Sequence, residues 1–337
     1  MFKIPPKSWG QLKQVDRKHY HYLKEVLIPL LPRSRRILET LNACLNNCFD
    51  IWDQFYIPED EEFNSLSGII VALMNQDSTI SFISKEKDVD KVLNIIDASI
   101  DWEIYVKFGP VADWYIPGMI QLCQKHGKIK NHVKVKQYEN TDTAKLGEVK
   151  SSFTNIDSSS SSMSIQEFPN IMRFHAKNGQ TMFAKPLGPE YANFMSDNWK
   201  FKSDSAFLWI KSQCQSNMAF GTFTSLDLDS EVDFKEPNSW IMAYTYCALG
   251  LLKTKEDWRG NGCAIACIKS LSNCLLKFGI TPYCFIEDFN QTSMRLFEIL
   301  EEFLVESTLV FPLQNKLIKH SLLLGKLCSQ NYFQTYF

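Results

Sequence analysis

Residues 253–264 read KTKEDWRGNGCA, and within them Arg259, Gly262 and Ala264 stand at the spacing R-x-x-G-x-A. The stretch follows the apolar run 249–252 and precedes a helical pattern, so it reads as a loop that closes a strand and opens a helix. The first turn of a helix leaves backbone N–H groups unbonded and carries the positive end of the helix dipole. Together these hold an anion such as a diphosphate. Glycines at 260 and 262 let the backbone approach such a ligand, and the small Ala264 lets helix and strand pack closely. The chemistry this stretch suggests is the holding of a phosphate-bearing cofactor, set against a plain turn leading into a helix.

Three defined positions recur by chance, so the flanking elements decide. From Ala264 onward Ile265, Ile268, Leu271 and Leu275 fall on one helical face, and Phe278 with Gly279 closes the helix. A buried strand follows at 283–286, then the polar corner Glu287, Asp288, Phe289, Asn290, then a helix carrying Leu296, Ile299, Leu300 and Phe303. Upstream, Ser203, Asp204 and Ser205 lead into a helix over 206–214. Strands at 218–225 and 239–246 flank an acidic loop, 226–238. On the second of them Trp240, Met242, Tyr244 and Tyr246 share a face.

This order, with the R-x-x-G-x-A loop and an N-x-x-S corner at Asn290 and Ser293, resembles the cofactor-binding half of the GNAT acyltransferases. Within that superfamily it is similar to the glycine N-acyltransferase-like proteins. Pro237, Ser239 and Trp240 match their P-x-S-W strand opening, and Asp257, Trp258 and Arg259 match their approach to the loop. Residues 191–199 resemble their N-x-x-W region, and the likeness runs over about 187–303. It implies acyl-CoA as co-substrate, with no tightly bound cofactor and no metal, and direct transfer of the acyl group to the amine of a small amino acid such as glycine or glutamine. Arg259, Gly260, Asn261, Gly262, Cys263 and Ala264 would then grip the diphosphate of coenzyme A. Leu251, Leu252 and Lys253 would offer a strand edge to its amide-bearing arm, Asn290 would touch the arm from the other side, and N–H groups near Leu251 would polarise the thioester.

Two positions depart from the family pattern. The general-base glutamate aligns with Ala248, and the general-acid tyrosine of many relatives aligns with Phe297. Tyr246, Cys247 and Asp288 are the catalytic candidates that remain, with Tyr244 and Glu287 behind them. The departures keep two alternatives open: an acyl-CoA-binding module without turnover, and an N-acetyltransferase acting on a protein amine.

Composition bounds the rest. A chain of 337 residues, 45% hydrophobic and 22% charged, has the length for two globular domains. A net charge of -2 gives no general pull toward nucleic acid, and no apolar run reaches the roughly 20 residues of a membrane span. The ten cysteines lack metal-site spacing and read as reduced core residues, which suits an intracellular site, cytoplasmic or mitochondrial. Oligomeric state is not written in the sequence.

The front half reads as α/β. A helix at 20–31 is followed by a mixed stretch at 37–53, a hairpin of 67–74 with 79–84, a helix at 89–96 and a strand at 102–108. Lysines 125, 128, 130, 134 and 136 read as a solvated helix end leading into a polar linker. The expected organisation is a domain at 1–136, a flexible linker at 137–166 and an acyl-CoA-binding domain at 167–337. By the family resemblance these are two GNAT-like mixed-sheet domains, the N-terminal one a degenerate copy.

Overall fold

The computed structural model describes residues 11–48, 54–61, 69–74, 79–85, 88–100, 102, 107–129, 133–140, 171–199, 202–224, 235–300 and 303–314. Its contacts divide into two compact units, one of residues 1–137, 285–291 and 305–336, the other of residues 138–284 and 292–304.

The chain opens with β1 (Leu12–Gln14), α1 (Tyr20–Leu27) and α2 (Arg35–Leu45). The second helix lies where a mixed stretch was expected. Its apolar face, Ile37, Leu38 and Leu41, is buried, but so are Arg35, Arg36, Glu39 and Asn42, and that blurs the amphipathic pattern. Glu39 is matched on both oxygens: Arg35 Nη1 meets Glu39 Oε1 at 2.8 Å, and Asn42 Nδ2 donates to Glu39 Oε2 at 2.9 Å.

Next come β2 (Gln54–Pro58), β3 (Ile69–Met74), β4 (Thr79–Ser84) and α3 (Val89–Ser99). β3 and β4 pair antiparallel as expected, and their turn lies outside the described residues. β5 (Lys107–Val111) starts near the end of the expected strand. Trp102, assigned to that strand, lies in a turn, where it donates its indole N–H to Asp97 O at 3.0 Å and stacks on His126, and residues 103–106 of that strand lie outside the described residues.

α4 (Ile116–His126) leads to β6 (Lys128–Ile129) and β7 (Val133–Asn140). The lysine-rich stretch is thus mainly strand, and the alternation of valine and lysine over 133–136 is its period-two signature. β7 also takes in the first residues of the expected linker, where Gln137, Glu139 and Asn140 are buried. The remainder of that linker, 141–166, lies outside the described residues.

The later chain begins with the hairpin β8 (Met172–His175) and β9 (Thr181–Pro186), then α5 (Ala192–Asp197) and α6 (Asp204–Gln215). β10 (Ala219–Phe223), β11 (Ser239–Ala243), β12 (Leu249–Thr254) and α7 (Cys263–Lys277) follow. Last come β13 (Tyr283–Glu287), α8 (Gln291–Ile299) and β14 (Phe303–Gln314). Phe303, expected on the last helix, begins β14.

The first unit holds most of a nine-stranded sheet, in the order β1-β2-β3-β4-β5-β14-β7-β13 with β6 on β14. α1 and α2 bury Leu23, Leu27, Ile37 and Leu41 with Phe55 and Ile57. A separate cluster sets Val92, Ile96 and Met119 against Ile80 and Phe108. The second unit holds a five-stranded sheet, β12-β11-β10-β9-β8. Both parts of the chain repeat one order, a helix pair, three antiparallel strands, a helix, a strand and a helix.

Candidate functional site

β11 and β12 are out of step at one point. Trp240 faces Lys253 and Met242 faces Gly250, so Ile241 stands opposite two residues, Leu251 and Leu252. This is a β-bulge, which takes backbone groups out of the ladder and bends the strand. Leu251 carries it at φ +53°, a left-handed conformation that costs a non-glycine residue about 1–2 kcal/mol. Burial offsets the cost: its side chain packs with Trp240, Met242, Met195 and Ile210. β12 also ends the order of its sheet, so its outer row of N–H and C=O groups is turned away from the ladder.

The strand before it is shorter than expected. β11 stops at Ala243, and residues 244–247 form a tight turn in which Tyr244 N donates to Ala248 O and Cys247 N donates to Tyr244 O, both at 2.8 Å. Cys247 sits at φ +67°. Trp209, Tyr244 and Tyr246 stack in near-parallel steps of 5.2 and 5.1 Å. The Tyr244 ring lies against Gly250, where any side chain would run into its ring carbons. Two of the catalytic candidates, Tyr246 and Cys247, therefore stand together, buried, and the carbonyl of Tyr246 accepts the Tyr283 hydroxyl. The third, Asp288, is exposed and belongs with Asn290 to the other unit.

Beyond β12 a single 3-10 turn, Glu256–Trp258, leads into the glycine loop. Gly260 and Gly262 sit at φ +76° and +85°, and open space surrounds both, so glycine answers there to backbone conformation. Gly262 is the N-cap of α7 and supplies no side-chain acceptor to the first turn of this 15-residue helix. The open N–H groups and the helix dipole are thus directed past Gly262. Arg259 stands exposed beside them and meets Glu256 at 3.5 Å, a solvent-screened pair that holds it weakly.

The loop is supported from below by an element that the sequence reading passed over. Phe174 and Trp258 pack on Ala176, Met182 and Cys263, and Met172 and Ala184 pack on Ala266. The hairpin β8–β9 is therefore the platform of the loop. Its signal was present: Asn178–Gly179 between alternating runs is strong hairpin chemistry, with Gly179 at φ +84° and Gln180 N bonded to Asn178 Oδ1 at 3.0 Å. Cys263 lies inside this packing, and burial pushes its thiol up, with Thr222 partly opposing.

The two positions that depart from the family pattern are apolar. Ala248 and Phe297 are both buried. Phe297 packs on Tyr138 at 5.8 Å, and the buried Tyr138 hydroxyl has no hydrogen-bond partner among the described residues. Burial, then Glu298 and Cys284, push that phenol up. Among the described residues no cluster of three or more His, Cys, Asp or Glu could hold a metal, and no helix is long and apolar enough to cross a membrane. The described cysteines are free thiols, seven of them buried.

Residues 230–307 match the family described as FR47-like protein. A comparison with curated proteins returned no match. Among solved structures, a Drosophila protein is similar at 15% identity, covering 90% of this chain and 99% of its own, with a TM-score of 0.64. At that identity the likeness is one of fold, and it spans both units. A GCN5-related N-acetyltransferase from Sphaerobacter thermophilus matches at 10% identity, covering 90% and 96%, with a TM-score of 0.43. A tandem GNAT protein from the clavulanic acid biosynthesis pathway matches at 11%, covering 89% and 97%, with a TM-score of 0.42. The fold expected from the sequence, α/β with two mixed-sheet domains, is the fold found.

Proposed function

We propose that the second unit binds acyl-CoA and transfers its acyl group to the amine of a small amino acid such as glycine or glutamine. The observation that carries this is the left-handed bulge at Leu251 on an outer strand that runs, within a few residues, into a helix whose N-terminus has no side-chain cap. The two features are complementary. One suits the diphosphate, the other the thioester.

In this reading Arg259 and the N–H groups of residues 260–264 hold the diphosphate, and Leu251, Leu252 and Lys253 offer the strand edge to the amide-bearing arm. N–H groups at the bulge stabilise the oxyanion that forms when the amine nitrogen attacks the thioester carbon. The C–N bond forms, the C–S bond breaks, and the sulfur leaves as coenzyme A thiol, carrying a proton equivalent to the one lost by the amine. Ala248 cannot take that proton, so it passes to water or to a neighbouring group, and positioning supplies most of the rate. Tyr246 and Cys247 line the turn beside Ala248 and remain the catalytic candidates there. The FR47-like match over the same stretch and the two-domain fold support the reading.

The buried pair Ala248 and Phe297 favours one second reading, a module that binds acyl-CoA without turning it over. Thiol release from acyl-CoAs of increasing chain length, acetyl to benzoyl, against a panel of amino acids separates the two. Turnover is expected with at least one pair, and coenzyme A binding is expected to weaken in Arg259→Glu. Undiminished binding in that variant would remove the loop from the site.

A further inference from the structure

Three cations lie on or beside the site strand, and they are not equivalent. Lys255 Nζ is 2.8 Å from Glu236 Oε2, and Arg259 pairs with Glu256. Lys253, two residues past the bulge, has no acid among its partners within the described residues. Its ammonium donates to Asn198 O at 3.2 Å and to Asn198 Oδ1 at 3.0 Å, both neutral oxygens, and lies 5.6 Å from the centre of the Trp240 ring. The geometry is built. Asn198 Nδ2 donates to Phe194 O at 3.0 Å, which fixes the amide with its oxygen toward Lys253, and Asn198 itself caps the C-terminus of α5.

An ammonium has three N–H donors, and Asn198 takes two. The third proton and the whole positive charge remain exposed to solvent, on the face of the sheet that carries Trp240, Leu251 and the helix pair α5 and α6. Tying a lysine down with neutral acceptors costs side-chain entropy and yields no ion pair, so its stabilising value is small. What the arrangement does provide is a fixed cation close to the bulge, with one donor unspent.

We infer that Lys253, oriented by Asn198, recognises the carboxylate of the acceptor and so selects amino acids over plain amines. The inference rests on the acyl-transfer reading above, and it uses the lysine side chain, whereas that reading uses the backbone of residue 253. The bound carboxylate accepts the third N–H of Lys253, and in an α-amino acid the amine stands two bonds from the carboxyl carbon, so holding one holds the other. A protein lysine or an arylalkylamine, lacking that carboxylate, gains nothing from Lys253.

The test compares glycine with glycinamide, and glutamine with its decarboxylated amine, as acceptors for one acyl-CoA. The wild-type protein is expected to prefer the carboxylate of each pair by 10-fold or more in kcat/KM. Lys253→Met should bring that ratio close to one through KM for the acceptor, with coenzyme A affinity tracked by calorimetry. Asn198→Asp keeps the lysine and gives it a permanent carboxylate partner, so the preference should fall there as well. Lys253→Arg should keep most of it. As a readout independent of turnover, glycine should raise the melting temperature of the coenzyme A-loaded wild type but not of Lys253→Met. Coenzyme A binding with equal use of acid and amide, or a preference that survives in Lys253→Met, overturns this inference alone. Absence of coenzyme A binding overturns the reading of the site and this inference with it.

Discussion

The two parts of the chain build the same junction, a strand running through a short loop into a helix, and finish it in opposite ways. In the first unit β4 leads to α3, and Asp88 caps that helix with its own carboxylate, which accepts from Lys91 N at 3.1 Å; Asp90 follows in the first turn. The positive helix end is satisfied internally and two acids repel any incoming anion. In the second unit β12 leads to α7, and the cap is Gly262, with a left-handed backbone and no side chain to offer. The strands differ in the same sense. β4 pairs with β5 over residues 79–80, and the space beside Gly109 on β5 is filled by Ser81 and the Arg36 guanidinium. In one unit the helix end is closed by its own side chains. The other leaves it open, and the difference comes down to residue choice at a few positions.

The sharpest way to break this contrast is to write the first unit's solution into the second. Gly262→Asp places a carboxylate at the cap of α7, where it competes for the same N–H groups and repels a diphosphate. Coenzyme A affinity is expected to fall about 100-fold, on the order of 2.7 kcal/mol, in a titration by calorimetry. The wild-type titration carries a companion expectation of one coenzyme A per chain. A stoichiometry of two would mean that α3 binds as well and that its cap is no barrier.

How much of this was legible beforehand follows from which physical signals are local. Gly260 and Gly262 are readable because only glycine takes φ near +80° at no cost, so their spacing predicts a loop conformation without any knowledge of the fold. The left-handed Leu251 is unreadable for the opposite reason. Leucine disfavours that conformation, and it is held only by burial among Trp240, Met242 and Ile210, residues brought together by tertiary packing. The same holds for α2, whose polar residues are buried in pairs, and for Lys253, whose partner Asn198 is distant in sequence. Tyr244 and Tyr246 show a further kind of miss. Alternation suggested one face of a strand, and the rings do stack, but across a turn.

Alkaline titration compares the stability of the two units. Burial pushes the thiol of Cys123 in the first unit and that of Cys214 in the second up from 9.0 to about 12 each. In the unfolded chain each thiol ionises near 9.0, while the folded chain keeps the proton until about 12, so above 9.0 the folded state holds more protons. Stability is therefore full below pH 9 and is lost as pH rises from about 9 toward 12, by up to about 1.4 kcal/mol per pH unit for each thiol. Urea unfolding at a series of pH values, followed separately by a probe in each unit, reads this directly. Cys214→Ala should flatten the slope for the second unit, and an unchanged slope would place the loss elsewhere.

The smallest expected effect closes the contrast from the other side. Asp88→Ala removes the cap of α3, whose backbone N–H at Lys91 then loses its acceptor. The expected cost is about 1 kcal/mol, the usual value of an N-cap carboxylate, read as a lower midpoint in urea. The variant opens the helix end chemically without making a site, because α3 keeps Asp90 in its first turn and its loop has no counterpart of the glycine pair at 260 and 262. Coenzyme A stoichiometry should therefore stay at one and its affinity should not move. A second, weaker binding event in Asp88→Ala would show that a single carboxylate is all that separates the closed copy from the open one.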